Sequence, residues 1–373
     1  MLEFAGLSSS QTLYVIQKRY PKTMRRPHPM QMGTLSATER SFSWERVHRY
    51  RIRPLHAVLM NLLLLIGLAT LCECSRKDSS IRLMSFNVWT SGKSVYNGLQ
   101  KIARHIKKVR PDIVAMQEIS DEAGLDYIVT DLADNWNWVR CTTSETWFPD
   151  VAILTNLKIV GPCTATSRAI AIPVETRTGR SLLIWNAHFN YKMFGPLAAQ
   201  MKMVKSSDQL LSVELLSGRV KNAQEVLDHP LTNEWQRRNQ PIVVAGDFNT
   251  PSHLDWIEAT RKQHGGWVVR WPVTQLFERA GFHDAYRTLY PDANIHPGHT
   301  WSPIQRFSKE WGYKYIPEPQ DRLDYVFHSG PIRAVNATLY CGTEPLTEIS
   351  TNGRYKRNDY PSDHYALIVE LVM

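Results

Sequence analysis

Acidic, amide and imidazole side chains stand where short apolar runs of this chain begin or end. Such side chains are unsuited to an apolar core unless they are paired or bind a metal. Together they offer oxygen ligands for a cation and groups that accept or donate protons. In chain order the set comprises Asn87, Glu118, His188, Asp247, Asn249, Asp324, Asp363 and His364.

The first candidate is a metal site around Glu118, which directly follows the apolar run IVAMQ. Mg²⁺ prefers oxygen ligands and keeps several waters, so one or two carboxylates with an amide carbonyl and a substrate phosphate suffice. Asn87, at the end of IRLMSFN, supplies the amide. We therefore predict a Mg²⁺ site, with Mn²⁺ or Ca²⁺ as alternative ions. The other interpretation of Glu118 is the exposed start of a helix.

The tetrapeptide GDFN places Asp247 and Asn249 two residues apart. In an extended chain, residues with this spacing face the same side. Asp247 would then orient a water or a leaving group, while Asn249 would hold a phosphate oxygen. The alternative is an Asx-turn that follows a strand and has only a structural role.

Two imidazoles are candidates for proton transfer. His364 follows Asp363, and Asp324 within RLDYVF offers a carboxylate that could orient the His364 ring from a neighbouring strand. A histidine bound to a carboxylate is suited to general-base work near neutral pH. His188, in NAHFN, would bind a scissile phosphate or protonate a leaving oxygen. Each histidine taken alone also fits a structural role.

The elements that must position these residues follow from the apolar pattern that begins at Ile81. Helical-period stretches, such as 95–109 and 200–227, lie between several of the short apolar runs. Alternating strands and helices predict a layered α/β architecture, with a site assembled at strand ends. The runs with strand character are IRLMSF, DIVAMQ, VAILT, SLLIWNAHF, PIVVAGDF, RLDYVFH and HYALIVEL.

The ordered motifs SFN, QE, NAHFN, GDFN, RLDY and SDH resemble the endonuclease/exonuclease/phosphatase superfamily, whose fold is that of deoxyribonuclease I. The resemblance covers roughly residues 81–372. It implies a four-layer α/β/β/α sandwich, with the active site at one edge of the sheet pair. It also implies that Glu118, with Asn87 close by, binds the catalytic metal, and that Asp363 helps to hold this ion or a second one.

The same resemblance implies roles in catalysis for the other five residues. Asn249 would contact the phosphate, and Asp247 would position the nucleophile or protonate the leaving group. His364 with Asp324, and His188, would be the acid/base and phosphate-polarising groups. A histidine at position 188 looks more like the deoxyribonuclease I and sphingomyelinase branches than the abasic-site repair branch, which has tyrosine there.

Charge and hydropathy set residues 1–77 apart from the rest of the chain. These residues hold 12 Lys and Arg against 4 Asp and Glu, which leaves 32 against 31 in the remainder. The predicted catalytic domain, residues 79–373, is thus nearly neutral, which gives no support to strong binding of a nucleic-acid backbone. With 43% hydrophobic residues and 12 tryptophans, the chain has ample material for a core.

The N-terminal part predicts a membrane-directed segment. Residues 58–72 carry no charge and follow several arginines, so 58–74 is predicted as the hydrophobic region of a signal peptide or as a signal anchor. Residues 1–57 would be a disordered basic tail, or an artefactual extension if Met60 is the true start. An uncleaved anchor would give a type II membrane protein by the positive-inside rule. A buried core helix is the remaining interpretation.

Secretion would allow a disulfide between Cys141 and Cys163, with Cys341 left over, although three buried free thiols fit the sequence equally well. The sequon at Asn336 fits a secretory route. Two aromatic segments, 191–196 and 298–320, are expected to shape access to the site. For the second, a purely structural role is the alternative.

These observations predict an extracytoplasmic, metal-dependent phosphodiesterase or phosphatase. Its partner would be a phosphate-ester substrate: a nucleic acid, a phospholipid or a small molecule. No protein partner is predicted, while segment 58–74 would anchor the chain to a membrane. The competing hypotheses are a non-catalytic binding module on the same fold and a nuclear DNA-repair endonuclease.

Overall fold

The computed structural model describes residues 80–119, 121–132, 135–142, 150–308, 316–350 and 352–373. The predicted tail, 1–57, and the predicted targeting segment, 58–74, lie outside these ranges. Among the helices in the described ranges, none is long and apolar enough to cross a membrane.

The described strands form two sheets. The first sheet has the order β12 (Arg333–Tyr340), β13 (Ala366–Val372), β1 (Ser80–Asn87), β2 (Ile113–Gln117), β4 (Val151–Thr155), β3 (Asn137–Val139). The second has the order β10 (His283–Asp284), β11 (Asp324–Ser329), β9 (Ile242–Asp247), β8 (Ser181–His188), β7 (Ala169–Glu175), β5 (Lys158–Ile159), and β6 (Thr164–Ala165) also pairs with β7. The pairs β1/β2 and β8/β9 are parallel, and the other pairs are antiparallel. All seven predicted apolar runs contain a strand.

The two sheets pack face to face because alternate side chains of each strand point inward. In β1, Ile81 and Leu83 belong to the core between the sheets, while Met84 and Phe86 point to the opposite face. This is the two-residue period of a strand that is buried on both sides. The core between the sheets receives inward side chains from both sheets and is almost entirely aliphatic.

Helices cover both outer faces. Against the first sheet pack α1 (Gly98–Val109) and α2 (Glu122–Leu132), and against the second pack α5 (Arg219–Leu227), α6 (Pro230–Arg237) and α7 (Pro272–Arg279). Three further helices are α3 (Gly195–Gln200), α4 (Ser207–Leu216) and α8 (Ala285–Leu289). The layers are therefore α/β/β/α, which confirms the predicted fold class.

The predicted helical stretch 200–227 contains two helices, α4 and α5. Gly218 adopts a left-handed backbone with φ 86° and separates α4 from α5. A residue with a Cβ would be strained in this conformation, so the glycine allows the chain to turn there. The predicted helix over 95–109 begins at Gly98.

A disulfide joins Cys141, just after β3, to Cys163, which lies between β5 and β6. Both cysteines are buried in the core between the sheets. The bond therefore links an edge of one sheet to an edge of the other, and of the two alternatives left by the sequence the structure has the disulfide. Cys341 is a free, half-buried cysteine.

Candidate active site

The inward-facing row of each central strand ends in polar residues at the same edge of the sheet pair. In β8 the row that buries Ile184 between the sheets continues to His188. In β9 the row through Val243 continues to Asp247, which is paired in register with His188 on one side. On the other side Asp247 is paired with Asp324 of β11. Strand alternation and register alone thus place three predicted residues side by side.

Asp247 is the centre of the cluster and is almost fully buried. Its Oδ2 atom lies 3.7 Å from Nε2 of His188 and 3.7 Å from Nε2 of His364. The Asn87 amide nitrogen, from the other sheet, donates to the same oxygen at 3.1 Å. Burial and the charge of Asp324 raise the pKa of Asp247 to about 6, although His364 and His188 limit the rise.

His364 is held from behind by Asp324, as predicted, but from the other sheet and not from a neighbouring strand. The His364 Nδ1 atom lies 2.9 Å from Oδ2 of Asp324, which is completely buried. Burial disfavours charge on the ring, but Asp324 and Asp247 outweigh it and raise the pKa of His364 to about 10. The protonated ring is a hydrogen-bond donor, so the general-base role of His364 stays a prediction.

His188 has a carboxylate partner that the sequence analysis missed. Its Nδ1 atom lies 3.0 Å from both carboxylate oxygens of Asp150. Burial opposes charge on the imidazole, but Asp150, Asp247 and Glu118 raise the pKa of His188 to about 9. Burial would also raise the pKa of Asp150, yet the His188 charge holds it below its usual value. One signal was present in the sequence, because Asp150 directly precedes the apolar run VAILT.

Glu118 lies at the mouth of the cluster and is half-buried. Its carboxylate accepts hydrogen bonds from the Asn87 amide at 3.1 Å and from the backbone N–H of Thr90 at 2.6 Å. The Asn87 oxygen, which was predicted to face a metal, instead accepts from the backbone N–H of Trp89 at 2.9 Å. Glu118 has φ 59°, an uncommon conformation for a residue with a side chain. Such conformations concentrate at functional sites.

Asn249 and Asp363 complete the predicted set. Asn249 has φ 53°, and its backbone N–H donates to Oδ1 of Asp247 at 2.8 Å, which is the turn that the alternative interpretation of GDFN described. The Asn249 amide nitrogen donates to the Phe189 carbonyl at 3.1 Å. Asp363 is buried, and its backbone carbonyl accepts from the Ser302 hydroxyl at 2.6 Å.

A cleft of about 240 Å³ lies over this cluster. Six of the predicted residues line it, namely Glu118, His188, Asp247, Asn249, Asp363 and His364. Asp324 lies beneath the floor, behind His364. The aromatic lining comprises Trp89, Tyr191, Phe194 and Trp301. Both aromatic segments predicted to shape access therefore contribute to the cleft.

Trp301 belongs to the second of these segments and packs edge-on against His364, with ring centroids 4.8 Å apart. Its indole N–H donates to Glu318 at 3.1 Å. Arg306, in the same segment, forms an ion pair with Glu348 at 3.4 Å. Residues 309–315 of the segment lie outside the described residues.

The donor set fits a divalent metal. Among the described residues that line the cleft there are four carboxylates and no Lys or Arg, so a cation would balance the charge. Mg²⁺ binds such carboxylate oxygens. One buried group, Asp247, Asp324 and His364, has potential ligand atoms within 4.8 Å of one another. This group differs from the predicted ligands Asn87, Glu118 and Asp363, which lie beside it.

Comparisons with known proteins agree with this geometry. The sequence model of the Endonuclease/Exonuclease/phosphatase family matches residues 84–364. Uncharacterized protein F14F9.5 of Caenorhabditis elegans is 41% identical over 319 residues, which make up 84% of this chain and 99% of that protein.

Solved structures of other proteins are similar to the chain at low sequence identity. The human Nocturnin catalytic domain with bound sulfate anion is 18% identical, with a TM-score of 0.50 over 79% of this chain and 94% of that one. D. rerio TDP2 complexed with single strand DNA product is 19% identical, with a TM-score of 0.48 over 79% and 100%. At these identities the likeness concerns the fold alone.

Proposed function

The chain belongs to the endonuclease/exonuclease/phosphatase family, and from that premise we propose that it is a Mg²⁺-dependent phosphodiesterase that acts outside the cytosol. The family comprises hydrolases of phosphate esters. One observation carries the proposal: two imidazoles, each backed by a carboxylate, face the buried carboxylate of Asp247 in an open cleft.

The two imidazoles would bind the phosphoryl group. Each Nε2 atom lies 3.7 Å from Asp247, which is longer than a hydrogen bond, so both N–H groups can donate to a substrate oxygen between them. Their other nitrogens are held by Asp150 and Asp324, which fix the orientation of the rings. Donors fixed before the reaction stabilise the charge that develops on phosphoryl oxygens.

Asp247 would orient the attacking water and receive its proton. Its position between the two rings places it next to the phosphorus atom of a substrate held by both imidazoles. Asn249, which lines the same cleft, would contact a phosphate oxygen. His364 or His188 would then protonate the leaving oxygen, since hydrolysis of an ester requires this second proton transfer.

The metal would be held by Glu118 and Asp363, with Asn87 beside them. Bound there, Mg²⁺ would neutralise charge on the phosphoryl oxygens and favour ionisation of the attacking water. For the Asn87 oxygen to join the ligands, the amide must rotate away from the Trp89 N–H, from which this oxygen now accepts a hydrogen bond. The Glu118 carboxylate, which is half-exposed at the cleft, needs no such change.

Three features support a location outside the cytosol. Residues 58–72 have the composition of a targeting segment. The Cys141–Cys163 disulfide is typical of oxidising compartments. Asn336, the acceptor of the sequon, is an exposed residue of β12 and is therefore accessible to glycosylation.

A panel assay tests the proposed reaction. The full chain with Mg²⁺ is given plasmid DNA, RNA, sphingomyelin and bis-p-nitrophenyl phosphate, and release of product is measured for each. We expect hydrolysis of at least one substrate and its loss in His188→Gln. The matched control is His283→Gln, because His283 is an exposed histidine of β10 outside the cleft. Equal activity of both variants would place the reaction elsewhere, and no hydrolysis of any substrate would contradict the proposal.

A further inference from the structure

Exposed apolar side chains are concentrated in residues 191–216, of which Tyr191 also lines the cleft. The described residues include twelve large hydrophobic side chains that are well exposed, and five of them lie within residues 191–216. Leu216 is 73% exposed and Leu215 is 60% exposed. Single exposed apolar residues need no explanation, but a group of them marks an interaction surface. The five are Tyr191, Met193, Met203, Leu215 and Leu216.

A buried ion pair ties together the two segments that carry four of these side chains. Arg219 and Glu214, both fully buried, are paired at the corner between α4 and α5. Arg219 also donates to three backbone carbonyls of segment 190–193, at 2.9, 2.8 and 3.0 Å. Segment 190–193 therefore lies directly against the end of α4. We call Tyr191, Met193, Leu215 and Leu216 the 191/216 face.

The core does not account for the 191/216 face. Helix α4 buries Leu210, and Leu211 packs with it against Trp256 and Trp271, whereas the last two leucines of the helix lie beyond these contacts. Neither leucine belongs to a core cluster of the described residues, and both are largely exposed.

The exposed charge of residues 191–216 favours a lipid surface. Lys192, Lys202 and Lys205 are exposed in the same stretch, against one exposed acidic residue, Asp208. Aliphatic side chains flanked by lysines are typical of segments that insert shallowly into the interface of an anionic bilayer. A nucleic-acid surface would instead need a denser array of Lys and Arg, without exposed leucines.

We propose that the 191/216 face docks onto a lipid bilayer that contains anionic phospholipid. Tyr191 belongs both to this face and to the lining of the cleft, and Phe194 also lines the cleft. Docking would therefore bring the mouth of the cleft to the membrane surface. The inference concerns binding alone and holds whether or not the proposed hydrolysis is correct.

Hydrogen–deuterium exchange of the full chain with vesicles tests the docking. Vesicles of phosphatidylcholine with phosphatidylserine are compared with phosphatidylcholine alone and with no vesicles. We expect slower amide exchange in peptides that cover 190–194 and 211–217, greater with the anionic vesicles and weakened by salt, which screens the lysines. Peptides from α2, in the opposite helical layer, should not change.

A double variant, Leu215→Ser with Leu216→Ser, should lose this protection while keeping its melting temperature. The control is Tyr127→Ser, because Tyr127 is 44% exposed on α2 and lies away from the face. If the protein co-sediments with vesicles but amide exchange at 190–194 and 211–217 is not slowed, another segment binds the membrane, and the proposal is overturned. Protection that appears without vesicles and rises with protein concentration would assign the face to a second copy, and would overturn it as well.

Discussion

The pairing of His188 with Asp150 leads to a quantitative prediction for Asp150→Asn. The substitution keeps a hydrogen-bond acceptor near Nδ1 of His188 but removes the charge that lies 3.0 Å from it. The pKa of His188 is raised from 6.5 to about 9, a difference of roughly 3 kcal/mol between its two protonation states. Asp150 is the largest favourable contributor to this shift.

Solvent reduces the expected effect, because the Asp150 side chain is 35% exposed and its charge is partly screened. We therefore expect Asp150→Asn to remove about 2 kcal/mol of the stabilisation of the charged His188 ring, which corresponds to a roughly 30-fold lower rate at alkaline pH. The rate difference should depend on pH because His188 acts in its charged form. Below the pKa of free histidine both proteins keep the proton on this ring, so their rates should converge. As pH rises, the variant should lose activity first.

The assay is the initial rate of bis-p-nitrophenyl phosphate hydrolysis against pH, with Mg²⁺ present throughout. The matched control is Asp131→Asn on α2, because Asp131 is an exposed partner of Lys107 outside the cleft. An Asp150→Asn profile that superimposes on that of the unmodified protein would refute the reasoning, since Asp150 would then not act through His188.

Asp324→Asn should slow hydrolysis by about 10²- to 10⁴-fold, and adding it to His364→Ala should cost little more, since the two residues act as one unit; strictly multiplicative losses would show independent roles. Burial raises the pKa of Asp321 from 3.8 to about 7, which destabilises the fold progressively as pH rises from about 4 and by about 4 kcal/mol above pH 7. Asp321→Asn should therefore raise the melting temperature more at pH 8 than at pH 5, and an equal shift at both would contradict the assignment. Protease protection of end-tagged full chain in cells should place the C-terminal tag on the lumenal or extracellular side, with glycan at Asn336, whereas a C-terminal tag in the cytosol would exclude the proposed location.

Strand alternation explains why so much of the site was predictable. Once the apolar runs are strands, the period of two carries the buried rows of β8 and β9 to His188 and Asp247 without further information. The turn at Asn249 follows from local sequence in the same way, whereas the pairing of Asp324 with His364 joins the two sheets, because Asp324 begins β11 of the second sheet and His364 precedes β13 of the first.

Contacts between the sheets could not be derived in this way. Asp150 precedes β4 of the first sheet, whereas His188 ends β8 of the second, and no spacing in the chain relates them. The Asn87 amide likewise reaches Asp247 across the sheet pair. Packing of the two sheets determines these contacts, so only a three-dimensional structure reveals them.

Some strands were also missed because their own sequences have little strand character. β7 contains Pro173, which lacks an N–H for the ladder, and its strand character is clear only beside β8. β12 is an edge strand with several exposed polar residues and a register shift between Ala334 and Asn336. Pairing with β13 decides its structure more than its own residues do.

Dependence on a bound metal at Glu118 is the central claim, and one measurement tests it most directly. The initial rate of bis-p-nitrophenyl phosphate hydrolysis is measured against Mg²⁺ concentration, after EDTA treatment, for the full chain and for Glu118→Gln. Gln keeps the shape of the side chain and removes one ligand charge. We expect no activity in EDTA, recovery with Mg²⁺, and a variant that stays nearly inactive at any Mg²⁺ concentration while its melting temperature is preserved. Hydrolysis by Glu118→Gln at the unmodified rate, or undiminished hydrolysis in excess EDTA, would contradict the account.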